Sequence, residues 1–231
     1  YYLMVYRMSF AKVIRKNLRH YQFVKLPPKN LALESFWSTF YEEKELENND
    51  ESFEWFLKAS TVGNVILKES NKNLDQHKIL HVGSGTSELG PWLEKNGSEV
   101  FVTNVDFDQI SCQQMSKRFP SQSWICCSIG SKEQPISWDN SFDIVVDKGT
   151  LDAVLFGGLD STVKYAVGIE RVLKNNGIIF QLTDEEPDTR LELLRCIFPL
   201  SDWNVSCQPL NDGDECKDHF CYKIWRKSNV F

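Results

Sequence analysis

The chain has 231 residues, 42% of them hydrophobic, with 26 Lys and Arg against 32 Asp and Glu and a formal net charge of −6. That length suits one ordinary domain plus an extension, and the apolar share is enough to fill a core. Apolar runs such as Ile144 to Val146 and Ile178 to Phe180 fall far short of the roughly 20 residues of a membrane-spanning helix, which excludes such a helix.

The charge is unevenly placed. The first thirty residues carry Arg7, Lys12, Arg15, Lys16, Arg19, Lys25 and Lys29 and no acid, so the remaining chain holds 19 basic residues against 32 acidic ones. A body that acidic lacks the basic face that displaces counterions from phosphates, and no nucleic-acid partner is expected. Basic residues interspersed with Met8, Phe10, Val13, Ile14, Leu18 and Phe23 predict a presequence-like arm over residues 1–30 that directs the protein to the mitochondrial matrix. A disordered basic arm on a cytoplasmic protein is the alternative, and in either case the arm is expected to stand outside the fold. The domain is then 31–231.

Beyond Pro27 and Pro28, Leu33, Phe36, Trp37 and Phe40 recur at helical spacing from about Leu31 to Tyr41, ahead of an acidic loop from Glu42 to Glu51. Ser52 then precedes Phe53, Trp55, Phe56, Val62, Val65, Ile66 and Leu67, which predict a second amphipathic helix. Residues 31–70 thus form a helical cap before the main sheet.

From there short β-rich runs alternate with helical ones. Strands are expected at Lys78 to Val82, Glu99 to Val105, Ser123 to Cys127, Phe142 to Asp147 and Ile178 to Thr183. Helices are expected near Leu89 to Lys95, Asp108 to Phe119 and Val163 to Leu173, with Asp108 as an N-cap and Gly97 and Gly177 as helix stops. This alternation means a doubly wound, mostly parallel α/β sheet. A helix near Arg190 to Phe198 precedes two strands, Trp203 to Leu210 and Phe220 to Arg226, joined by a turn-rich loop without a helix, so these two pair antiparallel. The sum is a seven-stranded, Rossmann-like sheet with an antiparallel C-terminal hairpin.

The first strand runs into Gly83-Ser84-Gly85, a turn whose backbone can approach a ligand and which opens onto a helix N-terminus. A dinucleotide fingerprint needs a third glycine where Glu88 stands, and a carboxylate there faces a pyrophosphate badly. S-adenosylmethionine carries no phosphate; its carboxylate suits the turn amides and its ribose hydroxyls suit an acidic acceptor. Asp106, at the end of the second strand, sits about 20 residues after the turn and is that acceptor, since Asp108 already caps the next helix. Phe107 is placed to lie against adenine. Seven cysteines show no regular framework, and Cys216, His219 and Cys221 fall short of four zinc ligands, so no metal is expected.

These residues resemble the Rossmann-type methyltransferases, and Asp147-Lys148-Gly149-Thr150-Leu151-Asp152-Ala153 narrows the resemblance. A strand ending in Asp-Lys-Gly-Thr-x-Asp-Ala is typical of the protein-lysine methyltransferases that act on elongation factor 1A and on mitochondrial citrate synthase. The run from Gln181 to Leu191 resembles the citrate synthase branch, and Phe36-Trp37, Tyr41 and Phe53-Glu54-Trp55-Phe56 resemble the aromatic cap over the cofactor. The likeness spans roughly Leu33 to Arg226.

It implies S-adenosyl-L-methionine held by Trp37, Gly83, Ser84, Gly85, Asp106, Phe107, Ser128, Asp147 and Lys148. Asp147, at the carboxyl end of the fourth strand where the resemblance also implies a reacting group, is expected to hold the methionyl amine of the cofactor or to orient the incoming lysine, and Asp152 with the cluster Asp184, Glu185 and Glu186 to attract that lysine or its basic surroundings. Citrate synthase is the favoured protein substrate, with elongation factor 1A second and a monomeric enzyme. One departure is Ser128, where the family carries an acid beside adenine; it hydrogen-bonds without charge, which implies weaker cofactor binding. A cofactor-binding pseudoenzyme is the alternative outside catalysis.

Overall fold

The computed structural model describes residues 2–19, 31, 33–46, 53–70, 77–213 and 218–227. Lys25, Lys29, Ser52, Cys216 and the end of the acidic loop lie outside them. The helices are α1 (Tyr2–Leu18), α2 (Glu34–Leu46), α3 (Ala59–Ser70), α4 (Leu89–Asn96), α5 (Gln109–Arg118), α6 (Thr150–Leu155), α7 (Gly158–Val172) and α8 (Pro187–Ile197). The strands are β1 (His77–Val82), β2 (Val100–Asp106), β3 (Ser123–Cys126), β4 (Phe142–Lys148), β5 (Leu173–Thr183), β6 (Trp203–Leu210) and β7 (His219–Arg226).

The strands form one seven-stranded sheet in the order β3-β2-β1-β4-β5-β7-β6. The first five are parallel, while β7 runs antiparallel to both β5 and β6, which is the expected architecture. Successive side chains of β1 and β4 point to opposite faces and both faces are covered, so Ile79 and Leu80 in β1 and Ile144, Val145 and Val146 in β4 are buried on either side. Ile79, Ile144 and Val146 face one cluster with Val62, Ile66 and Leu93 of α3 and α4. Leu80, Val82 and Val145 face the opposite one, with Val163 and Ile169 of α7 and Leu194 of α8. The strand order reverses between β1 and β4, so their connections leave to opposite sides and open a crevice at the carboxyl ends.

Four sequence expectations need correction. Residues 1–30 do not all stand apart from the fold, because Phe10, Ile14 and Leu18, one helical stripe of α1, are buried against α7 and α8. Gly177 is not a helix stop; it lies inside β5, where a Cβ would come within 2.6 Å of Leu173 Cδ1, so it is a close-approach glycine. The second cap helix starts only at Ala59, leaving residues 53–58 as an irregular strap in which Phe56 takes a φ of +62°. Helix α6 was not foreseen. Among the described residues no helix is long and apolar enough to cross a membrane.

Candidate active site

The crevice holds a cavity of about 760 Å³, in the range of small-molecule sites, bounded by the β1–α4 turn, the ends of β2 and β4, and the aromatic cap. At the turn, Gly83 and Gly85 adopt φ of +54° and +48°, conformations that glycine takes without strain. Neither has room for a side chain: a Cβ would stand 2.1 Å from Thr150 Oγ1 at Gly83 and 2.3 Å from Tyr41 Oη at Gly85. Ser84 is buried in the cavity wall, and its Oγ has no hydrogen-bond partner among the described residues.

Asp106 ends β2 beside this turn. Gly85 N–H donates to its Oδ2 at 2.8 Å and Asp108 N–H to its Oδ1 at 2.9 Å, which fixes the carboxylate plane and leaves each oxygen a further lone pair. Asp108 caps α5 as expected, accepting from Ser111 N–H at 2.8 Å. Burial pushes Asp106 up to about 6, against the opposing pull of its backbone donors.

Trp37, Tyr41, Phe53, Trp55 and Phe56 line the other side of the cavity. The Trp37 indole donates to Leu31 O at 2.7 Å, stacks on Tyr41 at 6.1 Å between centroids and meets Trp55 edge-on at 5.9 Å. Phe107, half-buried, and Ser128, exposed, complete the wall near Asp106. The structure thus brings Trp37, Gly83, Ser84, Gly85, Asp106, Phe107, Ser128, Lys148 and Asp152 around one space.

Asp147 is the exception among the expected site residues. It is absent from the cavity wall, 2% exposed, and shares the α7 side of β4 with Val145. Its Oδ1 accepts from Thr150 N–H at 2.9 Å, its Oδ2 from Leu151 N–H at 3.0 Å and from the Tyr165 hydroxyl at 2.6 Å. A carboxylate so used is the cap of α6, which explains a helix whose own N-terminal residue, Gly149, supplies no side chain. Burial raises Asp147 to about 7, and its bond with Tyr165 only partly opposes that.

Lys148, one residue on, points to the other face and into the cavity wall, where it pairs with Glu54 and donates to Leu57 O at 3.3 Å. Desolvation lowers its pKa, partly offset by Glu54. Asp152, on the first turn of α6, lines the cavity and pairs with the buried Arg190, which also donates to Thr183 Oγ1 at 3.2 Å. Asp152 Oδ2 has no hydrogen-bond partner among the described residues, and burial pushes this carboxyl up. The acidic run Asp184, Glu185 and Glu186 is exposed.

Sequence reasoning named Glu54 only as part of an aromatic run and did not assign Arg190 a role. Each works through a partner far along the chain, and no local spacing signals that. Among the described residues no cluster of three or more metal-ligating side chains exists.

The residues present fit S-adenosylmethionine: a carboxylate with spare acceptors for ribose hydroxyls at Asp106, an orphaned Ser84 hydroxyl at the turn, and aromatic walls for adenine. Comparison agrees. A family model described as a methyltransferase domain matches residues 80–181. A citrate synthase-lysine N-methyltransferase, mitochondrial, of Danio rerio is 29% identical over 180 residues, 70% of this chain and 70% of the relative. An eEF1A lysine and N-terminal methyltransferase of Bos taurus is 30% identical over 151 residues, 64% of this chain but 20% of that longer protein. In structure, a 1,6-didemethyltoxoflavin-N1-methyltransferase of Burkholderia thailandensis with bound S-adenosylhomocysteine superposes with a TM-score of 0.61 at 16% identity, covering 89% of this chain and 93% of its own.

Residues 80–181 thus carry a methyltransferase domain on a seven-stranded, Rossmann-like sheet, and its methyl donor is S-adenosylmethionine. The protein is an enzyme.

Proposed function

We propose that this enzyme transfers a methyl group from S-adenosylmethionine to a lysine of another protein, with mitochondrial citrate synthase as the favoured substrate. The observation that carries the reading is Asp152, a carboxylate in the wall of the cofactor cavity that is oriented by the buried Arg190. The cofactor, when bound, supplies a methyl group on a sulfonium. The chain's own task is to deliver a neutral amine in line with it, since an ammonium has no lone pair to attack with.

Asp152 receives the incoming ammonium and orients it. The aromatic strap excludes water, which favours loss of the proton from a lysine whose ordinary pKa is near 10.4. Asp147 does not touch the substrate in this scheme; it holds α6, and with it Asp152, in place. The relatives' names support citrate synthase and a mitochondrial location. Elongation factor 1A is the second reading, supported by the bovine relative.

Labelled methyl incorporation into purified citrate synthase and elongation factor 1A is the test. Labelling of citrate synthase is expected, abolished by Asp106→Ala and reduced about 100-fold or more by Asp152→Asn, within the range of a positioned acid–base group. Labelling of elongation factor 1A alone moves the assignment to that substrate. Bound cofactor with neither protein labelled removes both.

A further inference from the structure

The strap carries a polar contact that the reading above does not use. Glu54 Oε1 accepts from Glu88 N–H at 2.8 Å and Oε2 from the Ser87 hydroxyl at 2.8 Å, which fastens the strap to the N-terminal end of α4. The same Oε2 pairs with Lys148, whose side chain is 2% exposed. Farther along, Lys58 N–H donates to Asp212 Oδ2 at 2.6 Å. Between these anchors Phe56 holds its positive φ, and a Cβ on Gly149 would stand 2.9 Å from its ring. A non-glycine residue keeps such a conformation only when its surroundings enforce it.

The electrostatics give this contact a purpose. The donor is a cation at sulfur, and its demethylated product is a neutral thioether. Lys148 stands in the cavity wall at the end of β4, next to Gly149, with Leu57 O as its other acceptor. Left without Glu54, the Lys148 ammonium repels a sulfonium for as long as it keeps its proton, because little water separates the charges. We propose that Glu54 is a positioning residue that neutralises Lys148 in the cavity wall, so that the site accepts the positively charged methyl donor while the strap closes over the glycine turn.

The test compares the affinities of S-adenosylmethionine and S-adenosylhomocysteine by calorimetry, with no protein substrate present, so its outcome is independent of the lysine and citrate synthase assignments. Glu54→Gln keeps the shape and an acceptor oxygen. It is expected to weaken the sulfonium ligand on the order of tenfold more than the thioether, the size of one uncompensated charge across a partly screened cavity. Adding Lys148→Met to that variant should return the ratio to its native value. Lys148→Met alone strands the Glu54 carboxylate and should shift the ratio the opposite way, toward the sulfonium, which keeps the test alive if Glu54→Gln folds poorly. A loss of equal factor for both ligands, or the same direction of change in both single variants, reduces Glu54 to a strap anchor and overturns the proposal.

Discussion

In the proposed reading Asp106 accepts the cofactor's ribose hydroxyls. Two backbone amides set its plane, and burial raises it to about 6, so it remains ionised at neutral pH while already stripped of water. The ionised form is the one that accepts two hydroxyl hydrogen bonds. Cofactor affinity should therefore be flat near neutral pH and fall as the pH drops below about 6. Asp106→Asn should bind more weakly throughout, by roughly tenfold from losing charge-assisted bonds, and should show no such fall. Titration calorimetry across that range checks both. The position of Asp106 was legible because strand end, distance from the turn and the separate cap at Asp108 all agreed. Asp147 shares its face with Val145 and so turns away from the cavity, whereas Lys148 shares the cavity-side face with Val146.

At the scale of elements, α1 departs furthest from expectation. Its basic residues read as an arm, yet Phe10, Ile14 and Leu18 recur at helical spacing, and the structure buries them. Asn17 Nδ2 donates to Cys196 O at 3.2 Å at the end of α8, and Arg15 pairs with Asp160 at an exposed site that contributes little. The hydrophobic stripe therefore carries the docking. Ile14→Ala should lower unfolding stability by about 2–4 kcal/mol, the usual cost of truncating a fully buried aliphatic side chain. Urea denaturation measures it, and an unchanged midpoint means that α1 leaves the body in solution. The strap is the other element hidden from sequence. Its aromatics at Phe53, Trp55 and Phe56 merged with the apolar positions of α3 into one apparent helix, because apolar spacing alone does not distinguish residues that face a cavity from residues that face a core.

For the whole molecule, the carboxyl ends of the parallel strands gather Asp106, Asp147 and Asp152, all raised chiefly by burial. A carboxyl whose folded pKa exceeds its unfolded value of about 3.9 contributes stability at low pH and loses it as the pH rises through the folded value. For Asp147 that window runs from about 4 to about 7. The stability difference between the native protein and Asp147→Asn should therefore narrow as the pH rises across it. Denaturation midpoints at several pH values test this, and a constant difference would mean that Asp147 is not protonated in the fold. The site is thus assembled at a cost in stability that the two-sided core bears.

The sheet, its hairpin finish, the glycine turn and the place of Asp106 at a strand end are legible in the linear chain, because these follow from local periodicity, glycine conformation and short spacings. The sequence also carries the Asp-Lys-Gly-Thr run that narrows the class. How that run is packed depends on contacts distant in the chain. Glu54 lies 94 residues from Lys148, and Arg190 lies 38 from Asp152, yet each pair shares one partly buried contact. Whether a buried charge has a partner decides its role, and that partner is chosen by packing across the sheet.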